Sequence, residues 1–278
     1  MELLSKAVTV AMLSFVISSM LAMGTALTVS QIFDPLRNVR LVVLALVANF
    51  VLMPLGAFAL AKVLWLDEPF GVGLLLLGCA AGAPFLPKLA QLAKGNLPFG
   101  VGAMVLLMVI TVAYLPIVLP LLLPGVTVNP VKIAQSLVLL MLLPLAIGLF
   151  VKARYEATAA RVKPPLDWLS NVSLILLIVL ITVVNSDKVL QVFGTRGASV
   201  HRAWILHRLD AWGPGNDTRP VLALATAQRN IAAALVVGSQ SFSDPKVVVM
   251  VIVVAIVGLI ILMPLSRALA SRKSEPIT

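Results

Sequence analysis

Residues 223–242 read ALATAQRNIAAALVVGSQSF. The stretch is apolar at both ends, but Gln228, Arg229 and Asn230 stand in its middle. Residues 78–96 read GCAAGAPFLPKLAQLAKGN and place Lys88 inside a second apolar segment. There Pro84 and Pro87 lack the backbone N–H that a regular helix needs. An ionisable side chain at membrane depth is costly, so each of the two marks a functional site by default. Interrupted segments at matching places in two halves point to an all-α, inverted-repeat transporter with a site near the bilayer midplane.

The rest of the chain supports a membrane protein. Of its 278 residues, 60% are hydrophobic and 12% charged, with mean hydropathy +1.08. Runs such as Val39–Ala61, Val101–Leu123 and Val247–Met263 approach or exceed the ~20 residues that cross a bilayer. They are continuous rather than alternating, which selects helices over a barrel. We expect nine spans, near 7–29, 39–63, 71–94, 98–123, 132–152, 167–186, 197–213, 219–241 and 245–269. These form one transmembrane unit, with a first repeat over 7–123 and a second over 132–269. The connections carry breakers such as Asp34-Pro35, Asp67-Glu68-Pro69 and Asn129-Pro130.

The formal charge of +10 sits mainly at span ends, which fits membrane topology rather than nucleic acid. Arg37, Arg40, Lys94, Lys152, Arg154, Arg161, Lys163, Arg267, Arg272 and Lys273 share one side. That bias predicts an N-terminus outside and a C-terminus in the cytoplasm of the cell (inner) membrane. Segment 197–213 resists this scheme. It carries His201, Arg202, His207, Arg208 and Asp210, and each central charge costs ~2.5–3.5 kcal/mol on insertion. Two readings stay open: an interfacial amphipathic helix, or a slipped reading frame between about Gly197 and Gly213.

No set of His, Cys or carboxylate residues clusters at span depth. General acid–base and metal chemistry therefore lack their groups, so an enzyme is not expected, and no cofactor is expected beyond a sodium ion. Lys88 lies about seven residues from its span end, ~10 Å of helix, within reach of the interface. Arg229 lies about ten residues from either end, ~15 Å, too deep for that escape, so it either lines a polar cavity or caps the carbonyls of a broken helix.

Several stretches resemble the bile acid:sodium symporter family: Gly78-Cys79 through Lys94-Gly95-Asn96, Asn49 through Pro54, and Gln228-Arg229-Asn230 through Leu235. The resemblance implies nine or ten helices in a panel and a core domain. It further implies two discontinuous helices that cross in the core, two sodium ions near the crossing, and amphipathic organic anions as substrates. The chain departs from the family at the ion ligands. Leu86-Pro87 stands for a Ser-Asn pair, Ala223 for a Glu, and Leu107 and Met108 for hydroxyl residues, with Thr111 retained. Asn49 stands for a Gln.

The reading is a secondary carrier of small or amphipathic organic anions with weakened or lost sodium coupling. Substrate-binding candidates are Lys88, Arg229, Gln228, Asn230 and Pro84. Ion-binding candidates are Asn49, Thr111, Thr226 and Gln228. The alternatives are a genuine sodium symporter using Asn49 and Gln228, and a family member that no longer transports. The expected partners are the anion and the lipid bilayer, not nucleic acid.

Overall fold

A computed structural model describes residues 2–33, 37–123, 129–184 and 217–271. Eleven helices follow one another there: α1 Glu2–Ala26, α2 Val29–Phe33, α3 Val39–Val63, α4 Glu68–Cys79, α5 Leu86–Leu92, α6 Leu97–Leu122, α7 Pro130–Arg154, α8 Glu156–Val184, α9 Arg219–Ala227, α10 Ile231–Ser241 and α11 Pro245–Ser271. No strand occurs among the described residues. In hydrocarbon a helix satisfies its own backbone polar groups, and these apolar runs offer no alternation that a sheet would need.

Seven segments are long and apolar enough to span a membrane: 6–26, 39–63, 97–122, 130–154, 156–183, 219–241 and 245–270. The stretch expected as 71–94 holds the broken pair α4–α5, of which α4 is apolar but too short to be counted with them. The protein is an integral, polytopic membrane protein. The anomalous stretch 197–213 lies outside the described residues. Helix α8 begins at Glu156, well before the expected 167. Its internal Pro164 and Pro165 leave the carbonyls of Ala160 and Arg161 without their usual helical donor, while ion pairs Lys152–Glu156 and Lys163–Asp167, each at 2.6 Å, support the polar entry.

Two long helices contain a π-turn, and each turn runs into a proline. Ala48–Leu52 precedes Met53-Pro54, and Val138–Leu142 precedes Leu143-Pro144. A proline denies the carbonyl four residues back its N–H partner. For Pro54 that carbonyl belongs to Phe50, and the Tyr114 hydroxyl of α6 donates to it at 2.7 Å. The Phe50 and Tyr114 rings also pack 4.8 Å apart.

The helices form two groups. In one, α1 packs along α8 and the second half of α7. In the other, α4 and α5 pack with α3, α6, α9, α10 and α11, and the α9–α10 segment is the most deeply buried of the spans. The first half of α7 touches both α6 and α10 and so bridges the groups. Where α1 meets α7 the backbones nearly touch. A Cβ on Gly24 would sit 2.3 Å from Leu145 O, and one on Gly148 would sit 2.6 Å from Leu21 O. Small residues allow such close approach in membranes, where packing replaces the hydrophobic drive. Gly148→Leu is therefore expected to cost at least the ~1–3 kcal/mol of an overpacked core. Thermal unfolding of the purified protein checks this. A native midpoint in Gly148→Leu would show that the contact is not there.

Candidate functional site

Helix α4 stops at Cys79, and the chain runs without helical structure from Ala80 to Phe85 before α5 begins at Leu86. Helix α9 stops at Ala227, and Gln228–Asn230 separates it from α10. The two breaks meet. Asn230 N–H donates to Ala80 O at 2.9 Å, and Asn230 Nδ2 donates to Gly82 O at 3.0 Å. The Asn230 carbonyl oxygen Oδ1 accepts from Ala233 N–H at 3.0 Å and so caps α10.

Each helix end leaves backbone groups without an intrahelical partner, and burial makes such orphans expensive. At this crossing they are filled by side chains. Thr111 of α6 donates its hydroxyl to Ala81 O at 3.1 Å and accepts from Ala81 N–H at 3.0 Å. Gly82 has φ +79°, and a Cβ there would lie 2.2 Å from Met108 N. Only glycine fits a left-handed backbone pressed this closely against α6.

Arg229 completes the set. Its Nε donates to Leu77 O at 3.0 Å and its Nη2 to Gly78 O at 2.6 Å. Its Nη1 donates to Asn49 Oδ1 at 2.6 Å and Thr226 O at 3.1 Å. Four of the five guanidinium N–H groups are thus directed at protein oxygens. The residue is only 7% exposed, and no carboxylate pairs with it among the described residues. Three of the four acceptors are carbonyls at the C-terminal ends of α4 and α9. Helix C-termini carry partial negative charge, so the cation sits where two helix dipoles favour it. Asn49 is oriented for this contact, because its Nδ2 donates to Ala45 O at 2.9 Å and leaves Oδ1 facing the guanidinium.

The structure thus brings Arg229, Asn49, Asn230, Thr111 and Thr226 together at one crossing. Thr226 offers its carbonyl there, while its hydroxyl bonds back to Leu222 O at 2.9 Å. Gln228 is 5% exposed, and its side-chain amide makes no hydrogen bond among the described residues. Lys88 is exposed on α5 and Pro84 is half-buried in the first break. The two cations differ in place, as their distances from the span ends suggested: Arg229 is enclosed and bonded, and Lys88 is open.

Sequence reasoning missed the acceptors Leu77 and Gly78, which act through carbonyls and carry no side-chain signal. Tyr114 was missed too, although Pro54 announces an orphan carbonyl at Phe50 for some donor to fill. A cavity of about 290 Å³ also went unforeseen. It lies between α1 and α8 on one side and α10 and α11 on the other, lined by Met12, Leu177, Leu235, Gln240, Phe242 and Asp244 among others. Ser136 of α7 donates its hydroxyl to Gln240 Oε1 beside it. None of the residues singled out from the sequence is among those that line this cavity.

Comparison with known proteins places this geometry. Residues 12–192 match the Sodium Bile acid symporter family. An uncharacterized sodium-dependent transporter of Bacillus subtilis (strain 168), YocS, is 28% identical over 193 residues, which cover 68% of this chain and 58% of that protein. A probable sodium/metabolite cotransporter of Arabidopsis thaliana chloroplasts, BASS1, is 26% identical over 147 residues, 52% of this chain and 37% of its own length. Human sodium/bile acid cotransporter 4 is 27% identical over 173 residues, 58% of this chain and 38% of its own length. The chain therefore spans less than two thirds of each of these relatives. Its family is one of transporters rather than enzymes: the chain belongs to the sodium bile acid symporter family.

Proposed function

We propose that this chain forms a secondary carrier that moves small or amphipathic organic anions across the cell (inner) membrane, with sodium coupling weakened or lost. One observation carries the reading. Two broken helices meet at their breaks in the interior of a polytopic bundle, with a buried cation at the meeting point. Non-helical backbone at membrane depth is tolerated where protein buries it or where it lines a cavity, and transporters use such places to bind cargo. The names of the relatives, which include a metabolite and a bile acid cotransporter, support cargo of this kind.

The anion's carboxylate or sulfate would meet two of the site residues, Lys88 and Gln228. Lys88 is exposed in the first turn after the first break, and Gln228 holds at the second an amide with no hydrogen bond among the described residues. Arg229 lies behind them and adds its field rather than a direct bond. Asn230 and Pro84 shape the breaks. Alternating access would shift the group of α1, α7 and α8 against the rest, across the interface that holds the 290 Å³ cavity. We further infer inverted repeats over 7–123 and 132–269, with the N-terminus outside.

Uptake into proteoliposomes tests the reading with a panel of carboxylates and sulfated amphipaths, with sodium or choline as the cation. At least one anion is expected to exchange across the membrane at a rate that sodium leaves nearly unchanged. Lys88→Gln should weaken its apparent affinity by about tenfold or more, the worth of one charge-assisted hydrogen bond. No anion flux in a folded protein, or a several-fold dependence on sodium, would contradict the proposal. Orientation is open to cysteine labelling, because the single cysteine, Cys79, is buried. A thiol at position 129 should react with an impermeant reagent from outside, and one at position 161 only from inside. The reverse pattern would refute the orientation.

A further inference from the structure

The family's name implies sodium, and the crossing offers the chemistry that such an ion prefers. Asn49 Oδ1, Leu77 O, Gly78 O and Thr226 O converge from three chain segments on one small volume. Oxygen donors of this kind suit hard cations. Here, however, all four oxygens already face the Arg229 guanidinium at 2.6–3.1 Å. Of the nearby hydroxyls, Thr111 both donates to and accepts from the Ala81 peptide, and Thr226 donates to Leu222 O. A free ion does not fit while Arg229 is in place.

We propose that Arg229 is a built-in cation. Its guanidinium permanently fills an oxygen-lined cation position at the helix crossing. The native chain therefore binds no free cation there, and truncating Arg229 turns the position into a site for a small monovalent cation. The proposal deepens the coupling part of the carrier reading, but its binding claim stands on geometry alone.

The same geometry separates this from a plain structural pin. A pin acts through its own shape, and any side chain that fills the space would serve. A cation position acts through charge and through oxygens that stay orphaned when the charge leaves. Both the α4 and α9 ends would then point their carbonyls into a void, and an unpaired buried acceptor is costly. A free cation that enters the void restores what the side chain supplied.

The experiment is thermal unfolding of purified full-length protein without substrate, so that a failed carrier reading does not affect it. Sodium chloride replaces choline chloride at constant ionic strength, and low-millimolar guanidinium forms a second arm. For Arg229→Ala we expect a lowered midpoint that rises with the logarithm of sodium or guanidinium concentration, as for a ligand that binds only the folded state. Arg229→Lys, which keeps the charge, should lie between the native protein and Arg229→Ala and respond less. The native midpoint should not move with sodium. If Arg229→Ala proves too unstable to purify, the native arm still decides, and a sodium-dependent rise there overturns the proposal. A folded Arg229→Ala that neither cation stabilises overturns it as well.

Discussion

Breaking a helix inside a membrane strands carbonyl groups where no water can reach them, and this chain answers with one guanidinium. Arg229 faces the ends of α4 and α9 together with the Asn49 side chain. A buried charge ordinarily demands an opposite charge. At this crossing the demand is met by backbone dipoles, since the described residues place no carboxylate beside it. The arrangement is self-consistent in sign. The cation needs acceptors, and the broken helices need donors.

Around this contact the remaining polar groups fall into place. Asn230 ties its own break to Ala80 and Gly82 and caps α10, while Thr111 closes on both sides of the Ala81 peptide. The π-turn in α3 sets Asn49 beside the crossing, and the Tyr114 hydroxyl fills the carbonyl that Pro54 vacates. Such turns often occur at functional sites, where one extra residue re-aims a side chain. In this way the irregular backbone of the crossing finds hydrogen-bond partners. In the carrier reading proposed above, movement falls instead at the boundary between the α1, α7 and α8 group and its neighbours, which holds the cavity.

Much of this was legible in the sequence, because hydropathy and breakers are one-dimensional signals. The length of apolar runs located seven segments that can span a membrane, and Pro84, Pro87 and Gln228–Asn230 marked both breaks. The depth of Arg229 within its span foretold burial. Its partners were not foretold, because Leu77 and Gly78 contribute only backbone carbonyls, and any residue has one. Distance from the span end also separated Lys88, within reach of the interface, from Arg229. That reading did not show which face of the short α5 meets neighbours, a property of packing that no local pattern records. The start of α8 was placed too late because an apolar run marks only the part of a helix that crosses lipid, whereas α8 continues into a polar first section with Lys163 and Asp167.

The bond between Arg229 and Asn49 is the part of this account most open to direct measurement. A double-mutant cycle on unfolding free energy would compare Asn49→Ala in the native background with the same change in Arg229→Met. With Arg229 present, loss of the Asn49 oxygen should cost ~1.5–3 kcal/mol, the range for a hydrogen bond to a charged group. Without Arg229 the same change should cost much less, because the oxygen no longer has a charge to serve. Equal costs in the two backgrounds would mean that the two side chains do not couple, and the cation at the crossing would lose its place in the structure.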